Sequence, residues 1–327
     1  MNSLVWRQYR AQAAAALALL GAFAALLVIT GLQIAAQWHS ALDSCAASGT
    51  CGNLSSTLFL GSHTVGFLII MTLGLPLVLG ILCGAPLVAH EFETGTSAFA
   101  WTQSITRRHW LAVKAGWLLL AAAAVTGIVS GLVTWWSGPD NALQADAFSP
   151  GRFDIMGAAP VAYALFAMAL GIACGALLRR TVPAIGITLA AYIAVRMLVD
   201  EWVRPHYMAA VTHAYGLLDN YVPAGAVWQL GGGVLAPGGH KLPMTDGTTI
   251  GPNVSASAVP TACRSLGVEN HPNAVLTCMR SAGYRQYVTF QPAGRYWAFQ
   301  GIEVGVFLAL AAALLAVTFT VVARRDA

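Results

Sequence analysis

The run VGFLIIMTLGLPLVLGILCGAPLV, residues 65–88, carries no charged side chain in twenty-four positions. As an α-helix it is about 36 Å long at 1.5 Å per residue, enough to cross roughly 30 Å of hydrocarbon. Its backbone polar groups are then satisfied within the helix, as lipid requires. Pro76 predicts a kink, and the apolar run can begin as early as Leu58, which calls for tilt or an extension beyond the bilayer. Five further stretches of the same kind lie outward of it, at about Ala13 to Ala36, Lys114 to Trp136, Ile155 to Leu178, Val182 to Val199 and Trp297 to Val322. Only 9% of the 327 residues are charged, against about 25% in soluble proteins, while 57% are hydrophobic and the mean hydropathy is +0.66. That composition excludes a soluble globular fold, a disordered chain and a collagen-like repeat. It predicts an all-α polytopic membrane protein with six transmembrane helices.

The net charge of +4 is not a nucleic-acid signal, because the basic residues sit at the ends of the apolar runs. With six crossings, Arg7, Arg10, Arg107, Arg108, Lys114, Arg179, Arg180, Arg324 and Arg325 fall on one side, which the positive-inside rule makes the cytoplasm. The opposite short loops hold Asp43, Asp140, Asp146 and Asp154 with a single Arg152. Both termini are therefore expected in the cytoplasm of a multi-pass protein of the cell membrane. The first apolar run exceeds the roughly 7 to 15 residues of a signal-peptide core and reads as a retained anchor. Asn53 and Asn253 stand in N-x-S patterns that carry meaning only in a glycosylating pathway. Cys45 and Cys51 share the first outside loop, and Cys263 and Cys278 share the long outside segment. Two external disulfides and four free thiols are both open readings. Cys83 and Cys174 lie within helices and read as small packing residues.

Three regions follow: residues 1–199 with the first five helices and a loop at 89–113, a small extracellular cap at 200–296, and a sixth helix with a short tail at 297–327. The start of the cap, DEWVRPHY, continues helical spacing, with Arg196 and Asp200 four apart, until Pro205 ends or bends it. Gly231 to Gly233 and Pro237 to Gly239 mark turns, and Tyr284 to Phe290 alternates as a strand, so the cap reads as mixed and mostly irregular. Tyr296, Trp297, Phe299, Trp135 and Trp136 read as interfacial belt residues, with an aromatic drug pocket as the alternative. No internal repeat of the secondary-transporter kind is visible.

The chemistry concentrates in the loop after the second helix, GAPLVAHEFETGTSAFAWTQSITRRHWLAVKAG, residues 84–116, which is acidic first and basic last. Following Pro86, Glu91 and Glu93 are expected in the first turn of a short helix, where carboxylates favour exposed N–H groups. Phe99, Trp101 and Ile105 would anchor that helix along the membrane face, and Thr106, Arg107 and Arg108 would return the chain to the bilayer. The pattern EFETGT at 91–96, followed by SITRR at 104–108 and then Lys114, resembles the signature of ABC-transporter permeases of the export class. The segment YVTFQPAGRYWAFQGIEVGVF at 287–307 is similar to a sub-group common in high-GC Gram-positive bacteria, the actinobacterial type. The resemblance implies six helices, a short N-terminal amphipathic segment at Leu4 to Tyr9, an insertion between helices five and six, and a cytoplasmic coupling helix seated in a separate ATPase subunit. It implies that Glu91 and Glu93 order that helix, that Gly95 and Thr96 form its turn, and that Arg107 sets the return. Where the family often has Pro and Ser before its Arg, this chain has Ile105 and Thr106.

The sequence holds no G-x-x-x-x-G-K-[ST] phosphate loop, so ATP and Mg are expected in the partner polypeptide and no cofactor in this chain. His90 and Glu91 begin like a zinc-protease motif, but Thr94 stands where the second histidine belongs, and no metal site or catalytic residue is expected. Glu303, two turns into the sixth apolar run, is the one charge read as intramembrane. It lines a substrate path, latches the cap through Arg295 or Arg204, or merely reaches water. The expectation is a permease subunit of an ATP-driven exporter for an amphipathic drug, antibiotic or lipid-like substrate, paired with a second permease subunit. The alternatives are an ATP-independent secondary transporter or channel, a membrane enzyme, and a sensor subunit whose cap detects a peptide or antibiotic.

Overall fold

The computed structural model describes residues 2–48, 63–94, 107–138, 148, 150–219, 221, 227–243, 249–251, 254–266 and 271–324. Six of its helices are long and apolar enough to cross a membrane, at Leu20–Ser40, Gly66–Glu93, His109–Trp136, Ala159–Leu178, Thr181–His206 and Ala293–Ala323. The chain divides into two compact units, one of residues 1–144, 150–198 and 300–327, the other of 145–149 and 199–299.

In the first unit, α1 (Asn2–Ser48) is one uninterrupted helix, so residues 4–9 form its first turns and not a separate segment. The second span is built from α2 (His63–Leu79), a π-helical turn at Gly80–Gly84, and α3 (Ala85–Glu93). Pro76 lies inside α2, and the π turn that follows one turn later takes up the backbone disturbance. Then come α4 (Arg107–Trp136), the short α5 (Pro150–Phe153), α6 (Ala159–Leu178), α7 (Thr181–Leu198) and α10 (Tyr296–Arg324). The fourth span thus begins at Ala159, not Ile155, because Gly157 at φ 73° breaks the chain just ahead of it.

α6 is the pillar of this unit. Sixteen of its residues are buried, most of them Ala, Gly or other small side chains, and α2, α3, α4 and α7 all pack on it. The tightest crossing sets Gly80 and Gly84 of the π turn against Gly171 and Gly175 of α6. A Cβ on Gly175 would lie 2.5 Å from the Ala85 carbonyl oxygen, and one on Gly171 would press on the Gly80 carbonyl oxygen. This is the small-residue seam by which helices approach in lipid, where packing and not water exclusion drives association. Cys83 and Cys174, both free thiols, sit half-buried and buried on these same spans. α1 packs on α4, with Trp136 of α4 donating from Nε1 to the Thr30 hydroxyl at 3.2 Å. Trp136 is therefore a buried packing residue and not a belt residue; Trp135 is half exposed.

The second unit is more regular than its glycine content suggests. Strands β1 (Val211–Tyr215), β2 (Trp228–Leu235), β3 (Lys241–Pro243) and β6 (Arg285–Gln291) form an antiparallel sheet in the order β1-β6-β2-β3. A two-stranded ribbon pairs β4 (Thr249–Gly251) with β5 (Val254–Ser255). Gly231 to Gly233 lie inside β2 and not in turns, opposite Thr289, Val288 and Tyr287, with a bulge between Gln229 and Gly231. The turn expected at Pro237 to Gly239 is present, between Ala236 and His240, where Gly239 has φ 80°. Val234 and Leu242 pack with α8 (Thr261–Arg264) and α9 (Pro272–Ser281), which the Cys263–Cys278 disulfide joins. Phe299 is fully buried in a ring cluster with Phe148, Trp228 and Tyr207, which removes it from any belt, whereas Trp297 stays exposed.

The glycine seam sets a test of packing in the membrane unit. Gly171→Ala is expected to destabilise by about 1–3 kcal/mol through overpacking against backbone. Gly116→Ala, whose Cβ meets nothing within 4 Å, should be neutral or stabilising. Thermal unfolding of the purified protein in mild detergent reads the difference.

Candidate functional site

Two charged constellations occupy the membrane unit. The first gathers at the end of α3. Glu91 and Glu93 fall in the last turn of that helix, not the first turn of a new one, because the helix that begins before Pro86 continues to Thr94. Carboxylates oppose the dipole at a helix C-terminus, so each needs a partner outside its own helix. Glu91 Oε1 accepts from Lys114 Nζ of α4, and that ammonium also stands 4.7 Å from the Trp110 ring. Both members of the pair are partly exposed, which limits it to about 1 kcal/mol or less. Glu93 reaches the start of α7, where Oε1 accepts the Thr181 backbone N–H at 3.1 Å and Oε2 accepts the Thr181 hydroxyl at 2.5 Å. The carboxylate thus caps a neighbouring helix at its positive end. Between them, the Arg179 guanidinium lies 5.1 Å from the Phe92 ring, and Arg179 itself takes the left-handed conformation, φ 55°, that ends α6. Three separate helices are tied to the last turn of α3. Gly95 and Thr96 lie outside the described residues, and Arg107 is the first residue of α4.

The second constellation is buried near the other end of α6. Arg196 of α7 places one guanidinium nitrogen 2.6 Å from Asp154 Oδ2 and another 3.3 Å from Glu303 Oε1. The Tyr163 hydroxyl lies 3.0 Å from Glu303 Oε1 and 3.2 Å from Asp154 Oδ1, sharing its one hydrogen between them. The Tyr163 ring packs under the guanidinium at 3.7 Å, and Phe307 closes the group edge-on to Tyr163 at 4.8 Å. Glu303 is completely buried. One turn earlier on α10, buried Gln300 accepts the N–H groups of Ala158 and Ala159 at 3.1 and 2.8 Å and donates to the carbonyls of Phe153 and Met156. Gln300 therefore caps α6 from another span, and Gly157 leaves the room for it.

The geometry gives Glu303 a charged partner that the sequence reading did not name, Arg196. Arg204 pairs with Asp200, and Arg295 donates to the Ala209 carbonyl and Gln291. Helical spacing matches Arg196 forward to Asp200, and position alone makes Asp154 a loop charge, whereas the fold brings both to Glu303 or its partner. The available signal was the spacing of Gln300, Glu303 and Phe307, which share one face of the helix. Cys263 and Cys278 are disulfide-bonded, and the pairing of Cys45 with Cys51 lies outside the described residues. Among the described residues, no group of three His, Cys, Asp or Glu side chains is placed to hold a metal ion.

The sequence model of a family described as ABC-2 membrane transporter related matches residues 17–204, more than half of the chain. The match takes in the first five spans and both charged constellations apart from Glu303. No curated protein and no solved structure matches the chain.

The buried set predicts unequal effects of substitution. Arg196→Met, which strands two buried carboxylates, is expected to cost about 3–5 kcal/mol, whereas combining it with Asp154→Asn and Glu303→Gln should recover most of that loss. Thermal unfolding of the single and triple variants measures the coupling; equal losses would mean the charges do not act as a unit.

Proposed function

We propose a function from one premise: the chain belongs to the ABC-2 membrane transporter related family. It is accordingly a multi-pass membrane subunit of the ABC-transporter class, not an enzyme. Its task in the proposal is to couple ATP hydrolysis in a separate ATPase subunit to export of an amphipathic molecule, such as a drug, an antibiotic or a lipid-like compound. It works beside a second permease subunit in the cell membrane, with both termini in the cytoplasm and the sheet-bearing unit outside.

The observation that carries this reading is the lashing at the end of α3. The coupling loop read from the sequence at 89–113 includes a helix turn whose two carboxylates hold α4 through Lys114 and α7 through Thr181. A partner that pushes on this loop moves three spans together, which is the mechanical demand on a coupling element. ATP and Mg are held by the ATPase, and this chain contributes position: Glu91 and Glu93 as levers, Gly95 and Thr96 as the turn, Arg107 as the return into α4. The absence of a phosphate-loop sequence fits that division of labour.

A specific observation favours a second reading. The buried Asp154, Arg196 and Glu303 form the kind of intramembrane charge group that ion-coupled secondary transporters use. The two readings separate on whether an ATPase is required.

Affinity purification of the tagged chain in mild detergent, with identification of co-purifying subunits and an ATPase assay, makes that separation. A stoichiometric ATPase is expected, and Glu91→Ala should lower substrate-stimulated hydrolysis severalfold while leaving the complex or loosening it. The exchange Glu91→Lys with Lys114→Glu restores the ion pair but should leave coupling impaired if the partner reads the acidic side chain. A chain that purifies alone under conditions preserving membrane complexes would overturn the exporter reading.

A further inference from the structure

One face of the sheet in the second unit is covered by α8 and α9, and on the other Tyr287 is buried, Thr289 half-buried and Lys241 exposed. Val234, opposite Gln286, packs with Leu242 against α8 and α9. Tyr287 and Thr289 alternate with Val288 and Phe290 along β6 and so belong to the opposite face. On that side lies a cavity of about 640 Å³, lined by Gln229, Gly231, Gly232, Lys241, Tyr287 and Thr289 among others. The volume is within the roughly 300–1,000 Å³ of small-molecule sites.

Gly231 is the unusual element. Gly231 lies beside the bulge at Gln229, its φ is not positive, and a Cβ built on it meets nothing within 4 Å, so neither a left-handed backbone nor close packing calls for glycine there. Mid-strand glycine costs stability relative to a β-branched residue. What its absent side chain does is leave bare backbone as the floor of the cavity. The wall is polar and cationic. Lys241 Nζ donates to the Thr212 hydroxyl at 3.3 Å and stands 5.3 Å from the Tyr287 ring, and Thr212 in turn bonds Thr289 at 3.1 Å. Lys241 is an exposed ammonium with donors to spare, and no carboxylate is among the described residues that line the cavity. Burial raises the Tyr287 phenol above its ordinary range, which keeps it a neutral hydrogen-bond donor. A flat floor beside an aromatic ring, with a single cation at the edge, is complementary to a planar body carrying one negative charge.

We propose that this face of the sheet is a binding site for a small anionic amphiphile, its flat apolar part on the Gly231–Gly232 backbone beside Tyr287 and its carboxylate or phosphate on Lys241. This goes beyond the coupling function and does not depend on it, because every residue involved lies in the second unit, and the family match ends at residue 204.

The test uses the full chain in phosphatidylcholine nanodiscs, titrated with dansylglycine and with its uncharged analogue dansylglycinamide, after subtraction of binding to empty discs. Saturable binding with at least a fivefold preference for the carboxylate is expected. Lys241→Met should abolish that preference, and Gly231→Val, which fills the floor and suits a strand, should weaken both probes at least fivefold. An intact Cys263–Cys278 disulfide, checked by mass spectrometry, shows that the unit still folds. Competition by added phosphatidylglycerol would assign the anion to a lipid headgroup, and its failure to compete to a soluble molecule. No saturable binding, equal affinity for the two probes, or binding unchanged in both variants would overturn the proposal. None of these outcomes touches ATPase co-purification, so this site and the exporter reading fail separately.

Discussion

The membrane unit depends on how the buried guanidinium of Arg196 is satisfied. An ionised side chain taken from water into an apolar interior costs several kcal/mol, and only close, well-oriented counter-charges offset it. Here Asp154 comes from the approach to α6, Glu303 from α10 and Arg196 from α7, so the requirement can be met only when three parts of the chain are in register. Leucines in place of all three would serve stability as well or better, since a buried ion pair adds little net free energy. What the charges add is a single permitted arrangement: a slip of α7 or α10 by one turn, about 5.4 Å, separates the group and leaves it unpaired. Gln300, one turn from Glu303, sets the same register through the backbone by capping the first N–H groups of α6.

At about 30 Å, α6 is the length of the hydrocarbon layer, and both of its ends are held by groups from other helices. The Gln300 and Arg196 sets hold its start. At its finish, Arg179 leaves the helix with φ 55° and lies over Phe92, while Glu93 caps the next helix two residues on. Under the proposed function, a load placed on the end of α3 would reach α7 through the Glu93–Thr181 contact, and α7 carries Arg196 near its other end. The exposed Glu91–Lys114 pair is weak as a source of stability, yet it fixes the direction in which α4 follows α3.

Much of this was legible in the residues. Six long apolar runs with few internal charges can be little else than spans. What escaped were features set by the chain's three-dimensional closure. Arg196 reads as an interfacial residue because its partners are 42 positions before it and 107 after it, and helical spacing offered Asp200 as a nearer match. Glu91 and Glu93 were placed at a helix start because Pro86 usually begins one; the π turn instead carries the second span straight through it. Gly231 to Gly233 looked like a turn for the same local reason, and pairing with β6 made them strand.

The glycine seam decides where motion can occur. Gly171 meets the backbone of Gly80, Gly84 and Ala85, and Gly175 meets that of Ala85 and Ala89, so the π turn, α3 and α6 interlock with little freedom to shift. α1 is different: most of its spanning window is unburied, its contacts are chiefly to α4, and Gly31 admits the Trp135 ring where a side chain would stand. A ring seated over a glycine can slide, where interlocked backbones cannot. The junction of α1 with α4 and the partly exposed face of α7 are thus the compliant surfaces of the unit, and the α6 seam is its rigid spine. Under the proposed function, a push delivered at Glu91 and Glu93 would arrive on the side of the glycine seam, and the less tightly packed surfaces of α1 and α7 would be where a transported molecule finds room to pass.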